Sequence, residues 1–292
     1  MQLLLFFHLV KGLLARLLLV LSVVCLLSLF SATTAFAKQI KSQSSTVLKF
    51  CIEDTEFPPF NYFIRENGKP TSVSDGYDVE LLALVFSSTD FEYEIQVRPW
   101  VRCLHSLLNG SIDAAMSASL NAQRKIDFRA SEAYYYLTPS YFYLKSSFIS
   151  EPIIEKLEDL SKYGRVCGIK GFNYVQFGWP QYLSLVETPY MSHLSDMLKK
   201  NRCKFFLDRK EAFYGTLALK QHDLMPPELV SRPTPNGVKE SFHMLVSRKS
   251  LHQDMILSLF NASVRKMESR GELAKLLSKH QQKIGANRYT EE

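Results

Sequence analysis

The chain has 292 residues, with 35 Lys and Arg against 29 Asp and Glu for a formal net charge of +6, and 46% hydrophobic residues that include 20 Phe and 14 Tyr. The charges are scattered, with no block of five like charges, so nucleic acid is not indicated as a partner. There is no internal repeat and no low-complexity run.

Residues 1–37, MQLLLFFHLVKGLLARLLLVLSVVCLLSLFSATTAFA, carry Lys11 and Arg16, then an apolar run, then Ala35-Phe36-Ala37. A basic start, an apolar centre and a small-x-small site describe a secretory signal peptide cleaved after Ala37. The alternative for an apolar stretch of this length is a membrane-anchoring helix; the polar KQIKSQSS that follows favours cleavage. Cys25 lacks the small residue before it that a lipid-anchor site needs. The mature chain is expected in the periplasm, with its net charge lower by the two basic residues of the signal. No later stretch approaches membrane-spanning length. Residues 38–292 have room for one large or two modest domains.

Four cysteines follow the signal: Cys51, Cys103, Cys167 and Cys203. An exported chain meets an oxidising compartment in which disulfides persist. The spacings do not fit a zinc site, and four cysteines allow three pairings.

In chain order, VLKFCIE (47–53) reads as a buried strand, broken by the two prolines of DTEFPPFNYF. After Gly76 comes a helix with Val79, Leu82 and Phe86 on its apolar face. FEYEIQVRP alternates as a strand. WVRCLHSLLNG is a short amphipathic helix stopped by Asn109-Gly110, and SIDAAMSAS is the next strand. Strand, helix, strand, helix, strand implies a parallel sheet with helices on its faces. The aromatic segment AYYYLTPSYFYLK leads to a second such unit. There GRVCGIKG and SLVETPY are strands, SHLSDMLKKNRC is a helix with Ser192 as its N-cap, and KFFLDRKEAFYG runs from strand into helix. SFHMLVSRKS is one more strand. The helix that follows buries Ile256, Leu259, Phe260 and Met267 and stops at Gly271, and ELAKLLSKH is a last short helix.

The chain therefore builds one α/β lobe (46–140), crosses to a second (141–236) and returns to the first (237–286), with two linking strands as a hinge beside a central cleft. Ligands in open α/β sheets sit at the carboxyl ends of strands. Here those ends carry Asp54 to Phe57, Ser117 to Arg124, Gly171 to Tyr174, and Asp208.

Four stretches in the right order resemble the family 3 extracellular solute-binding proteins, the periplasmic receptors of polar amino acid ABC transporters: CIEDTEFPPFNYF, DGYDVELLALVF, RPWVRCLHSLLNGSIDAAMSAS and GRVCGIKGFNY. The resemblance implies a two-lobed type II periplasmic-binding fold. It departs where the family often has Thr-Pro-Glu-Arg and this chain has Asn121-Ala122-Gln123-Arg124, in a shorter stretch between Arg124 and Phe128, and at Lys204, where an acidic residue is common.

By the resemblance, Arg124 holds the ligand's α-carboxylate, for which a guanidinium fork is the matching shape, with Ser117 and Ser119 adding hydroxyls. Asp208 takes the α-amino group, which needs acceptors, unless it only caps a helix. Phe57 and Trp100 cover the ligand or pack in the core. Gly171, Asn173 and Tyr174 offer backbone N–H groups as an anion nest. Asp54 and Arg102 are weaker candidates. No catalytic residue, metal or cofactor is expected.

The reading is a monomeric carrier of a small carboxylate-bearing ligand, a polar amino acid, delivered to a membrane permease. Two alternatives use the same fold. One is a cyclohexadienyl dehydratase-like enzyme, for which Glu211 or Glu132 is the nominal general acid; the other is a ligand sensor for a membrane kinase or cyclase. In a doubly wound sheet of this kind the first and third strands are neighbours, so Cys167 and Cys203 are expected to form a bridge. Cys51 and Cys103 remain in the first lobe, where a second bridge and free buried thiols both stay open.

Overall fold

The computed structural model describes residues 47–219, 228–235 and 237–285. The expected signal peptide lies outside the described residues.

The first sheet grows around β1 (Val47–Glu53). Its period-two pattern sends Leu48, Phe50 and Ile52 into one core cluster and Cys51 into a second on the opposite face. A hairpin of β2 (Tyr62–Glu66) and β3 (Lys69–Asp75) turns at Asn67 and Gly68, both at positive φ, as a tight hairpin turn requires. Helix α1 (Tyr77–Phe86) buries Tyr77, Leu81, Leu82, Val85 and Phe86, so its inward face includes Leu82 and Phe86, while Val79 is only partly covered. Then follow β4 (Glu92–Arg98), α2 (Trp100–Asn109), β5 (Ala114–Ser119), α3 (Ala122–Asp127), β6 (Phe128–Ala130) and β7 (Tyr135–Leu137). Strand β1 is central and parallel to both β4 and β5: Phe50 pairs with Ile95 on one side and Ala114 on the other.

Helix α2 lies over the Cys51 face and buries Trp100, Cys103 and Leu107, the i, i+3, i+7 spacing of one helical stripe. It ends at Gly110, φ 80°, whose N–H donates to the carbonyls of Leu107 and Ser106. A Cβ there would stand 2.9 Å from that of Lys249, so glycine serves both the left-handed turn and the close approach. Cys103 and Cys51 are disulfide-bonded, Cα atoms 5.8 Å apart.

The second sheet contains β8 (Pro139–Leu144), then, after α4 (Leu160–Tyr163), β9 (Val166–Ile169), β10 (Val186–Thr188), α5 (His193–Lys199), β11 (Phe205–Arg209), α6 (Lys210–Leu219) and β12 (Leu229–Pro233). Its order is β10-β9-β11-β8-β12. The first and third strands of the unit, β9 and β11, are neighbours, and Cys167 and Cys203 are bonded with Cα atoms 5.9 Å apart. Ser192 precedes α5 but does not cap it: its backbone is already helical and its hydroxyl makes no cap bond.

The chain passes between the sheets twice. Strand β7 belongs to the first sheet and β8 to the second, with only Thr138 between them. The return runs from Pro233 to β13 (Glu240–Ser247), which pairs with β5, β6 and β7. Thr234 N–H donates to Pro139 O at 2.9 Å and ties the two passages together. Glu211 accepts from both the N–H and the hydroxyl of Thr138. The chain closes on the first lobe with α7 (Gln253–Ser269), which buries Ile256, Phe260 and Met267 with Leu259 half-covered, and α8 (Glu272–Lys283) after Gly271. Among the described residues no helix is long and apolar enough to cross a membrane.

Candidate functional site

The strand ends meet at a cavity of about 400 Å³, counting its open mouth, lined from both lobes. Its floor is the exit of β5. Ser117 sits at φ 59°, rare for a residue with a side chain, and a hydrogen-bond net holds it there. Its hydroxyl donates to Asp78 Oδ2 at 2.5 Å and accepts from Tyr135 at 2.7 Å, while its N–H donates to the Tyr134 hydroxyl at 2.8 Å. Tyr134 in turn donates to Asp78 Oδ1 at 2.8 Å. Burial pushes Asp78 up to about 6, even though Ser117, Tyr134 and Asn61 all donate to it. The Ser117 proton is thus committed to Asp78.

Arg124 is placed by a helix cap: Asn121 precedes α3, and its side chain accepts the Arg124 N–H at 2.8 Å. Arg124 is 8% exposed and lines the cavity. Nη1 donates to Ser119 O at 2.8 Å, and the group lies 5.5 Å from the centre of the Trp100 ring. Among the described residues no carboxylate forms an ion pair with it. Burial, and next the neighbouring Arg209 charge, push it down to about 10, which leaves it cationic at neutral pH. A buried cation without a counter-charge is costly, and an anionic ligand would relieve it.

The second lobe closes the cavity with Phe172, Asn173 and Arg209. Asn173 Nδ2 donates to Ser119 Oγ at 3.2 Å and Leu120 O at 3.1 Å, bridging the loop after β9 to the end of β5. Arg209 is 2% exposed and paired with Glu240; its guanidinium is ringed by Phe172, Tyr174, Phe177 and Phe242 at 4.8–5.8 Å. Phe57 and Phe242, ring centres 5.9 Å apart, add apolar wall.

Of the residues singled out in the sequence, Phe57, Trp100, Ser117, Ser119, Arg124 and Asn173 come together on this wall. Asp54, Gly171, Tyr174 and Asp208 do not. Asp54 stands beside the exposed Arg102. Gly171 is exposed, near Val101, and the Tyr174 hydroxyl accepts from Ile169 N–H. Asp208 is fully buried and off the wall: Oδ1 accepts from Arg209 N–H and Oδ2 has no partner. Burial pushes it up to about 7. Glu211 is engaged by Thr138, and Glu132 pairs with Arg265; neither lines the cavity.

The wall also carries Phe172, within the expected Gly171 to Tyr174 stretch, and Glu53, Asn61, Met116, Arg209 and Phe242, which were not singled out. Two of these stand one residue from acids that were: Glu53 before Asp54 and Arg209 after Asp208. Strand alternation was the usable signal, because neighbouring residues at a strand end face opposite ways. Nothing in the sequence marks Asn61.

Among solved structures, the chain is similar to an amino acid ABC transporter substrate-binding protein, AbpA, of Streptococcus pneumoniae bound to L-arginine (21% identity, TM-score 0.63, 85% of this chain and 98% of that one). It is also similar to a histidine kinase sensor domain (19%, 0.61, 80% and 97%) and to the ancestral amino-acid-binding protein AncCDT-1, a precursor of cyclohexadienyl dehydratase (16%, 0.62, 80% and 94%). At these identities the likeness establishes the fold, a two-lobed type II periplasmic-binding architecture. A search of curated proteins returned no match. The family model for bacterial extracellular solute-binding proteins, family 3, matches residues 48–283, and the chain belongs to that family.

Proposed function

We propose that the chain captures a small carboxylate-bearing ligand of the amino acid class in the periplasm and delivers it to the permease of an ABC transporter. The observation that carries this reading is Arg124: a buried guanidinium on the cavity wall, backed by Ser119 and Trp100, with no protein carboxylate paired to it among the described residues. Its free donors suit a carboxylate in two-to-two geometry. The residues proposed as contacts are Arg124, Ser119, Asn173, Phe57 and Trp100, with closure of the second lobe completing the site. The solved relatives that bind amino acids, AbpA with L-arginine among them, support the ligand class. A thermal-shift panel of the twenty amino acids and small carboxylates on the exported chain tests it, since a specific ligand raises the melting temperature by mass action. A rise with one or a few of these compounds, lost when the carboxylate is replaced by its amide, is expected; a flat panel, or an equal rise with the amide, contradicts the reading.

A dehydratase is the second reading, favoured by one observation: Glu53 lies on the cavity wall and burial pushes its carboxyl up to about 7, where a general acid works best at neutral pH. An elimination assay on cyclohexadienyl substrates separates the two.

A further inference from the structure

We propose that Glu53 and Asn61 form a second pole of the cavity, which takes a cationic nitrogen of the ligand in place of the more deeply buried Asp208. This rests on the carboxylate reading of Arg124.

Asn61 is 1% exposed. Its Nδ2 is spent on Asp78 at 3.2 Å, while Oδ1, on a residue lining the cavity, has no partner. A buried acceptor left unpaired costs about 1–3 kcal/mol, and a nitrogen cation offers the missing donor. Glu53 ends β1 on the same wall, with Oε1 accepting from Thr55 at 2.8 Å. The charges near it are Asp54 on its own strand end, the Trp100 backbone N–H at the head of α2, and Arg124 and Arg209 on the shared wall. Glu240 neutralises Arg209. The cavity therefore holds one uncompensated cation, Arg124, and one carboxyl, Glu53, without an ion-pair partner among the described residues. Trp100 neighbours both poles: its backbone favours the ionised Glu53 carboxyl and its ring lies beside Arg124. A ligand bearing both signs would meet an opposite charge at each pole. Asp208 offers its free oxygen away from the wall.

The nitrogen can be an α-ammonium or a side-chain cation, and three probes tell them apart: L-arginine, L-glutamine and 5-guanidinopentanoate. Calorimetry of Glu53→Gln is expected to show at least a tenfold loss for L-arginine. The same loss for L-glutamine alone of the other two assigns the α-ammonium to the pole; the same loss for 5-guanidinopentanoate alone assigns the side chain. Below pH 7, a cation at the pole ionises Glu53, so L-arginine binding at pH 6 should release about one proton per ligand, read from buffers of different ionisation enthalpy. That release should vanish in Glu53→Gln. A purely structural role would instead lower the melting temperature of the empty variant and leave proton release unchanged. Wild-type affinities and proton release in Glu53→Gln overturn the pole while leaving the Arg124 reading intact; failure of all three probes to bind the wild-type chain overturns both.

Discussion

Arg209 on β11 grips Glu240 on β13 by two contacts, Nε to Oε2 at 2.7 Å and Nη2 to Oε1 at 3.2 Å, and so joins the sheet of one lobe to the returning strand of the other. Both side chains are almost wholly buried, and Arg209 also donates to Asn173 O at 2.6 Å. Breaking such a pair from one side strands a buried charge. Glu240→Gln should therefore cost roughly 3–5 kcal/mol in urea unfolding, whereas Arg209→Met with Glu240→Leu, which removes both charges, should cost far less. Equal costs for the single and double variants would show that packing, not charge, sets the stability here.

Asp208 predicts a pH dependence. Its carboxyl is raised by burial to about 7, against an ordinary value near 3.8. The folded chain therefore holds this proton more tightly than the unfolded chain. The stability it contributes is complete below about pH 4 and is lost as pH rises towards and through 7. Asp208→Asn keeps an acceptor for Arg209 N–H and removes the titration. It should gain on the order of 4 kcal/mol over wild type at pH 8 and little at pH 4. Parallel pH–stability curves for the two proteins would contradict the assignment.

Gly215 on α6 of the second lobe lies where an added Cβ would meet the Pro58 carbonyl of the first at 2.3 Å. Backbone cannot yield as a side-chain tip can, so Gly215→Ala should hold the lobes apart. Small-angle scattering should show the wild-type chain compacting with the ligand found in the amino acid panel and the variant failing to do so, with at least a tenfold loss of affinity. Compaction equal to that of wild type would mean the contact is not part of closure.

The elements that carry the two sheets are legible in the sequence because their faces are buried. Phe50 and Ile52 mark β1, and Trp100, Cys103 and Leu107 with Gly110 mark α2 from start to stop. The β2–β3 hairpin is less so, although Asn67-Gly68 is a strong turn signal: much of β3 is exposed, and without a buried face there is no apolar alternation to read. At the site, Ser119 and Asn173 stand out because small polar residues follow apolar strands, and Arg124 stands out chiefly through the family resemblance. Glu53 and Arg209 do not, since a side chain one step along a strand faces the other way and the neighbouring acids attract the eye. The Arg209–Glu240 pair joins positions 31 apart in the chain, a contact that only the tertiary fold creates.

Arg124→Ala, compared with wild type by calorimetry against the ligand found in the amino acid panel, tests the carboxylate anchor most directly. Removing a charge-assisted bond inside a closed cavity should cost on the order of 2–5 kcal/mol of binding free energy, with Arg124→Lys falling between because it keeps the charge and loses the fork. The melting temperature of the empty protein should hold or rise, since the variant loses a buried cation. An unchanged dissociation constant in Arg124→Ala would contradict the anchor and, with it, the reading of the cavity as a carboxylate site.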